Sequence, residues 1–200
     1  VEASPTFPKG TAARINSLMA PLWRSVSLSI MSSLISGISI RNRQLIALGS
    51  VLTFAALTRF INLGRPSELV FDEVYYVDGA RDFLESGVEL DQGAADFVVH
   101  QPAGKWAIAL GIRIFGDTPF GWRFSAALVG TLSVLLVFLI ARKLFTSFFL
   151  SMTAASLMAL DGLHLVMSRT ALLDIFLSFF ILLVRFLFQT RHSLKSIQAA

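Results

Sequence analysis

Long apolar blocks constrain this chain more than any other feature of its sequence. They cover residues 45–63, 122–140, 147–166 and 170–188 of a 200-residue chain that is 54% hydrophobic. A helix needs about 20 predominantly apolar residues to cross a bilayer. The pattern therefore predicts an all-α integral membrane protein with four spans, and it is too apolar for an ordinary soluble domain.

Basic residues at the ends of these blocks predict how the chain is oriented. With four spans, one side of the membrane receives Arg41, Arg43, Arg142, Lys143, Arg191 and Lys195. The positive-inside rule makes that side the cytoplasm, so the 64–121 loop faces outward. The formal net charge is +4, and the cations lie mostly at the ends of apolar blocks, which favours a membrane protein over a nucleic-acid binder.

The two ends of the chain are predicted to be cytoplasmic. In residues 1–44, apolar side chains recur every three or four positions from Ile15 to Ile38, which predicts an amphipathic helix on the membrane surface. A poorly ordered extension fits this Ser-rich segment equally well. Residues 189–200 are predicted to form a tail. Because residue 1 is Val and the chain ends soon after an apolar block, we expect a fragment of a longer protein.

The 64–121 loop holds ten of the 13 acidic residues. Short helices are predicted at 74–84 and at 106–115, and the second is too short to span a bilayer and suits its interface. Trp122 and Arg123 follow as expected interface anchors.

Asp72 and Glu73 form an adjacent acidic pair between Phe71 and Val74. A carboxylate in a partly apolar site near a membrane suits a group that accepts a proton. Neighbouring residues point in different directions, so the two acids are expected to have different tasks. A solvated pair of loop acids is the alternative.

Two further segments carry candidate residues. In His100-x-Pro102-x-Gly104-Lys105, the lysine could meet an anionic head group, or the segment could merely cap the helix that follows. Arg169 lies five residues before Asp174, a poor spacing for an ion pair on one helix face. Arg169 is therefore a candidate for binding a lipid phosphate, and a structural ion pair with Asp161 or Asp72 is its alternative.

Several kinds of site are excluded by the sequence. The chain has no cysteine, so it has neither disulfides nor thiolate metal ligands. It also has no nucleotide-binding Gly-rich loop, HExxH or GxSxG motif. A divalent metal remains open for the acidic pair, but the scattered carboxylates define no ligand set, and no cofactor is predicted.

Four segments in order resemble the N-terminal part of the protein O-mannosyltransferases, most closely the actinobacterial type. They are Pro66-x-Glu68-Leu69-Val70-Phe71-Asp72-Glu73-Val74-Tyr75-Tyr76, His100-x-Pro102-x-Gly104-Lys105-Trp106, Gly116-x-x-Pro119-Phe120-Gly121-Trp122-Arg123, and Leu160-Asp161-Gly162-Leu163-His164-x-x-x-Ser168-Arg169-x-x-Leu172-Leu173-Asp174. The resemblance implies a multi-pass cell-membrane enzyme with the GT-C glycosyltransferase fold. It also implies inverting transfer of mannose from polyprenyl-phosphate-mannose to Ser or Thr of secreted proteins, met at the Sec translocon.

The same resemblance implies roles for individual residues. Asp72 would be the general base, and Glu73 would orient the acceptor or share that work. Arg169 would hold the lipid phosphate as it leaves. Lys105 and His100 would shape the head-group site, and Asp161, His164 and Asp174 are candidates for a structural or supporting role. One departure is Gln101, which stands where the family has the first of two prolines.

Two alternative functions remain at this point. One is another GT-C glycosyltransferase that acts on a lipid or a polysaccharide. The other is a truncated, non-catalytic membrane paralogue.

Overall fold

The computed structural model describes residues 39–91, 94–95 and 100–198. The amphipathic segment predicted from Ile15 to Ile38 lies outside the described residues. The chain divides into two compact units, Val1–Ile46 and Ala47–Ala200. Of the first unit, only the beginning of one helix is described, and every site residue discussed below belongs to the second.

Helices account for most of the described chain, as the sequence predicts. They are α1 (Ile40–Phe60), α2 (Glu73–Glu85), α3 (Pro102–Phe115), α4 (Pro119–Leu144), α5 (Phe148–Leu160), α6 (Gly162–Met167) and α7 (Leu173–Gln198). Two-residue strands, β1 (Leu90–Asp91) and β2 (Ala94–Ala95), pair antiparallel between α2 and α3.

Two of the described helices are long and apolar enough to cross a membrane. They are α4, with 26 residues, and the first 19 residues of α7, Leu173–Arg191. Helix α5 has 13 residues and is therefore about 20 Å long, short of the roughly 30 Å of a bilayer core. The prediction of a helical protein with membrane-capable helices is confirmed, whereas the number of spans stays a prediction.

The segment predicted as the third span, 147–166, is two helices. Helix α5 ends at Leu160, where Asp161 has extended backbone angles and begins α6 as its N-cap. The Asp161 carboxylate accepts a hydrogen bond from the His164 backbone N–H at 2.7 Å. A side chain that caps a new helix in this way offers the backbone an alternative to continuing the old one.

The last helix is longer than predicted, because α7 continues through the expected 189–200 tail to Gln198. No glycine or proline interrupts this stretch of the sequence, so nothing in it stops the helix.

Two apolar clusters hold the second unit together. The first packs α2, α3, α4 and α7 around Val77, Ile108, Ala126 and Ile175, and the second joins α1, α4 and α5. Helix α4 belongs to both clusters. The acidic start of α2 is thereby held against the membrane-capable helices.

Candidate active site

Asp72 stands at the start of α2, at the end of a tight turn. It is the N-cap residue, yet its side chain makes no capping hydrogen bond. Its carboxylate is partly exposed and has no hydrogen bond or ion pair within the described part of the chain. Phe71, directly before it, has a positive φ of 54°. A bulky residue in this region is strained, and such strain tends to occur at functional sites.

Glu73, the next residue, has a very different environment. It is fully buried and forms a two-point ion pair with Arg123. Its Oε1 lies 2.8 Å from Arg123 Nε, and its Oε2 lies 2.7 Å from Arg123 Nη2. The backbone N–H groups of Val70 and Ala171 donate to the same carboxylate at 2.9 and 2.7 Å. Four donors from the protein therefore hold the Glu73 carboxylate.

Arg123 is fully buried in α4 and uses all of its donors. Besides Glu73, it donates to the backbone carbonyls of Leu63 at 3.3 Å, Pro66 at 2.6 Å and Glu68 at 2.9 Å. A guanidinium has five N–H groups, and the five hydrogen bonds here occupy each of them. The expectation that Arg123 anchors α4 at a membrane interface is wrong, because its charge is enclosed by protein.

Tyr76 is a buried tyrosine that is influenced by both Asp72 and Asp174. Its ring is buried and meets His100 edge to face, with centroids 5.3 Å apart. Burial raises the pKa of Tyr76, and the negative charges of Asp72 and Asp174 raise it further. Both carboxylates therefore lie close enough to influence the phenol, and His100, two residues before α3, contacts its ring.

An open pocket of about 330 Å³ lies beside this cluster. Its polar lining includes His100, Gln101 and Asp174. Its apolar lining is contributed mainly by Leu173, Phe176, Leu177 and Phe180 of α7. A pocket with a polar part and an apolar wall suits a ligand that has a charged head and a hydrocarbon tail.

Lys105 is not at this pocket's open surface. It is buried in an ion pair with Glu89, which is also buried. The pair packs on Gly79 of α2, where a Cβ would lie 3.1 Å from Lys105 Nζ. The described structure therefore uses Lys105 to join α3 to α2, whereas the resemblance implies a head-group contact.

Arg169 caps the C-terminal end of α1. Its Nη1 donates to the carbonyls of Thr58 at 2.6 Å, Arg59 at 3.2 Å and Ile61 at 2.9 Å. The last carbonyls of a helix carry partial negative charge and attract a cation. No ion pair joins Arg169 to Asp161 or Asp72, the two partners that the structural alternative named. The guanidinium remains partly exposed.

Asp161 and His164 serve the packing of α6 in the described structure. Asp161 caps the helix, and Arg59 Nη2 lies 2.9 Å from His164 Nδ1. Because a guanidinium can only donate, Nδ1 is the acceptor and the proton of the neutral ring lies on Nε2. Of the three supporting residues named from the sequence, Asp174 lies at the pocket with His100.

Sequence reasoning missed Tyr76 and the partner of Glu73. Tyr76 is four residues after Asp72, a spacing that places both on one face of α2, so a signal was present. Arg123 is 50 residues from Glu73 in the sequence, and no local pattern joins them. Within the described residues, no group of three or more His, Cys, Asp and Glu side chains could hold a metal ion.

Known proteins resemble this chain over most of its length. A family model described as dolichyl-phosphate-mannose-protein mannosyltransferase matches residues 49–198. A relative in Mycolicibacterium smegmatis, named polyprenol-phosphate-mannose–protein mannosyltransferase, is 44% identical over 139 residues, 67% of this chain and 27% of the relative. One of the same name in Corynebacterium glutamicum is 41% identical over 141 residues, 66% of this chain and 27% of the relative.

A more distant relative carries a different name. It is the undecaprenyl phosphate-alpha-4-amino-4-deoxy-L-arabinose arabinosyl transferase 2 of Pseudomonas fluorescens, 37% identical over 100 residues, 49% of this chain and 18% of the relative. No solved structure matches the chain. The chain spans about a quarter of the length of the mannosyltransferases that it matches.

Proposed function

Because the chain belongs to the dolichyl-phosphate-mannose-protein mannosyltransferase family, we propose that it forms the N-terminal part of a protein O-mannosyltransferase. The enzyme transfers mannose from polyprenyl-phosphate-mannose to Ser or Thr hydroxyls of secreted proteins. The observation that carries this proposal is the unpaired, partly exposed Asp72 carboxylate. Its charge influences Tyr76 together with that of Asp174, and Asp174 lines the open pocket.

The proposed architecture is a GT-C-like bundle of several spans in the cell membrane. The segments 45–63, 122–140, 147–166 and 170–188 are the spans, the third of which crosses as two consecutive helices, α5 and α6, and the 64–121 loop lies on the outer face. Two features support this arrangement: the lengths of α4 and α7, and the Arg142 and Lys143 pair in the last turn of α4, which favours a cytoplasmic end. Acceptors leaving the Sec translocon would meet the loop there.

The proposed reaction is a single displacement at the anomeric carbon of mannose. The acceptor hydroxyl oxygen forms a bond to this carbon, and its proton passes to Asp72. The bond from the same carbon to the phosphate oxygen breaks, and the lipid phosphate leaves with the electron pair. Attack from the face opposite the leaving group inverts the configuration. A positioned general base typically contributes about 10²–10⁴-fold to such a rate.

The leaving phosphate gains negative charge, which a fixed cation or donor stabilises. We assign this task to His100 and Arg169: His100 lines the pocket, and Arg169 is partly exposed. Lys105 could join them only by leaving Glu89. The apolar side chains of α7 at the pocket, Leu177 and Phe180 among them, suit the first isoprene units of the donor.

The test of this function is a comparison of acceptors with the natural full-length enzyme in membranes. Radiolabelled polyprenyl-phosphate-mannose is supplied with a Ser/Thr-rich peptide, or with a matched peptide in which Ala replaces every Ser and Thr. We expect label on the first peptide alone. Label on glycolipid or polysaccharide, with none on peptide, would instead favour the alternative function, a GT-C glycosyltransferase that acts on a lipid or a polysaccharide.

A further inference from the structure

Arg123 has no part in the chemistry proposed above, yet it is the most highly coordinated side chain near Asp72. We propose that Arg123, acting through Glu73, is the positioning residue that holds Asp72 in place at the start of α2. The inference rests on the proposed function, in which Asp72 is the base, and it gives Glu73 a task other than contact with the acceptor.

The chain is fixed immediately after Asp72 by the Glu73 carboxylate. Glu73 accepts two hydrogen bonds from Arg123, at 2.8 and 2.7 Å, and both residues are fully buried. The Val70 N–H donates to the same carboxylate across the turn that contains Asp72. Because Asp72 itself makes no capping hydrogen bond, these bonds to its neighbour are what set its direction.

The chain before Asp72 is fixed by the other donors of Arg123. They hold the carbonyls of Leu63, Pro66 and Glu68, which lie four to nine residues upstream of Asp72. A single side chain of α4 therefore holds the backbone on both sides of Asp72. The same segment includes Phe71 with its positive φ, a conformation that persists only where its surroundings enforce it.

Glu73 also holds the segment that leads into α7. Its Oε1 accepts a hydrogen bond from the Ala171 N–H at 2.7 Å. Ala171 lies three residues before Asp174, which lines the pocket and influences Tyr76 together with Asp72. One buried carboxylate thus ties the start of α2, where Asp72 lies, to the segment that leads into Asp174.

The geometry requires arginine, because the five hydrogen bonds use all five N–H groups of a guanidinium. Lysine has the same charge but only three donors and no planar fork. A displacement of a reacting group by about 1 Å can cost about 10²-fold in rate. Loss of the two-point pairing between Arg123 and Glu73 should therefore lower the rate of the chemical step. Binding of the donor should be affected much less.

The test compares Arg123→Lys with Arg81→Lys in the natural full-length enzyme. Arg81 is the matched control, because it lies on α2 and is paired with Asp78 and Asp117 outside the Asp72 turn. We expect Arg123→Lys to lower kcat about 10²-fold with the KM for polyprenyl-phosphate-mannose within about twofold. Its pH–rate profile should keep its shape at a lower plateau, and Arg81→Lys should resemble the parent.

Glu73→Gln is the second variant, since it keeps the shape of the side chain and one oxygen acceptor but loses the charge. Glu73→Gln replaces Arg123→Lys as the test if Arg123→Lys does not accumulate in the membrane. The same fall in kcat is expected for Glu73→Gln. An unchanged kcat per folded enzyme would overturn the inference, as would a rise in donor KM without a fall in kcat. If the parent transfers no mannose, the proposed function fails first and this inference fails with it.

Discussion

Gly130 offers a sharp test of the packing that supports the site. It lies in α4 against the end of α6, and a Cβ there would lie 2.6 Å from Ser168 Cβ and closer still to Ser168 Oγ. The added carbon would also lie 3.3 Å from Arg59 Nε. Arg59 and Ser168 are fully buried, and Ser168 Oγ donates to the His164 carbonyl at 2.5 Å. Both neighbours are therefore enclosed by protein on all sides.

The expected cost of Gly130→Ala follows from two opposing effects. Overpacking a full interior costs about 1–3 kcal/mol, and the upper end applies because both neighbours are buried. Replacing glycine by alanine inside a helix gains up to about 1 kcal/mol. We therefore expect a net loss of about 2 kcal/mol in the free energy of unfolding, seen as a lower Tm of the detergent-solubilised protein.

Two further variants make this test decisive. Gly49→Ala is the matched control, because Gly49 lies within α1 with nothing within 4 Å of an added Cβ; it should leave Tm unchanged or raise it. Ser168→Gly removes both atoms of the collision, so the double variant should recover stability relative to Gly130→Ala. If Gly130→Ala and Gly49→Ala have the same Tm, the described contact between α4 and α6 is wrong.

Two other predictions concern ion pairs of the loop. Lys105→Met should destabilise the fold by about 3–5 kcal/mol because it leaves Glu89 buried without a partner. The double variant Lys105→Met with Glu89→Leu should be more stable than Lys105→Met in the same thermal assay. Equal stability of the two variants would refute the buried ion pair. Burial would raise the pKa of Asp117, but hydrogen bonds from Arg81 and Trp122 and the charge of Arg81 lower it below its ordinary 3.8. The stability that this group contributes is present above pH 3.8 and is lost as the pH falls through the lower pKa of the folded protein. The Tm, measured as the pH is lowered, should therefore fall less steeply in Asp117→Asn than in the parent. Identical curves would contradict the pairing of Asp117 with Arg81.

Local signals in the sequence were enough for the helices of the loop. Helix α2 was predicted at 74–84 and is Glu73–Glu85, because its start and its Ser-Gly end are marked by neighbouring residues. Helix α3 was predicted at 106–115 and begins earlier, at Pro102. Pro102 and Gly104 lie in its first turn, and proline is favoured at the start of a helix.

The contacts that build the site could not be predicted in the same way. Asp72 was identified from its own surroundings, but the environment of Glu73 depends on Arg123, 50 residues away. Lys105 and Arg169 looked free to bind a phosphate because their partners, Glu89 and the carbonyl groups of α1, lie on other elements. Such pairs depend on how helices pack, and hydrophobic periodicity carries no information about which polar groups meet.

The central claim is that Asp72 takes the proton from the acceptor hydroxyl. The most direct measurement is mannose transfer to a Ser/Thr-rich peptide by full-length Asp72→Asn enzyme, normalised to its amount in the membrane. Asp78→Asn is the control, because Asp78 is an exposed acid on the same helix, paired with Arg81. We predict a loss of about 10²–10⁴-fold for Asp72→Asn and near-parent activity for Asp78→Asn. Equal transfer by the parent and Asp72→Asn would contradict the account.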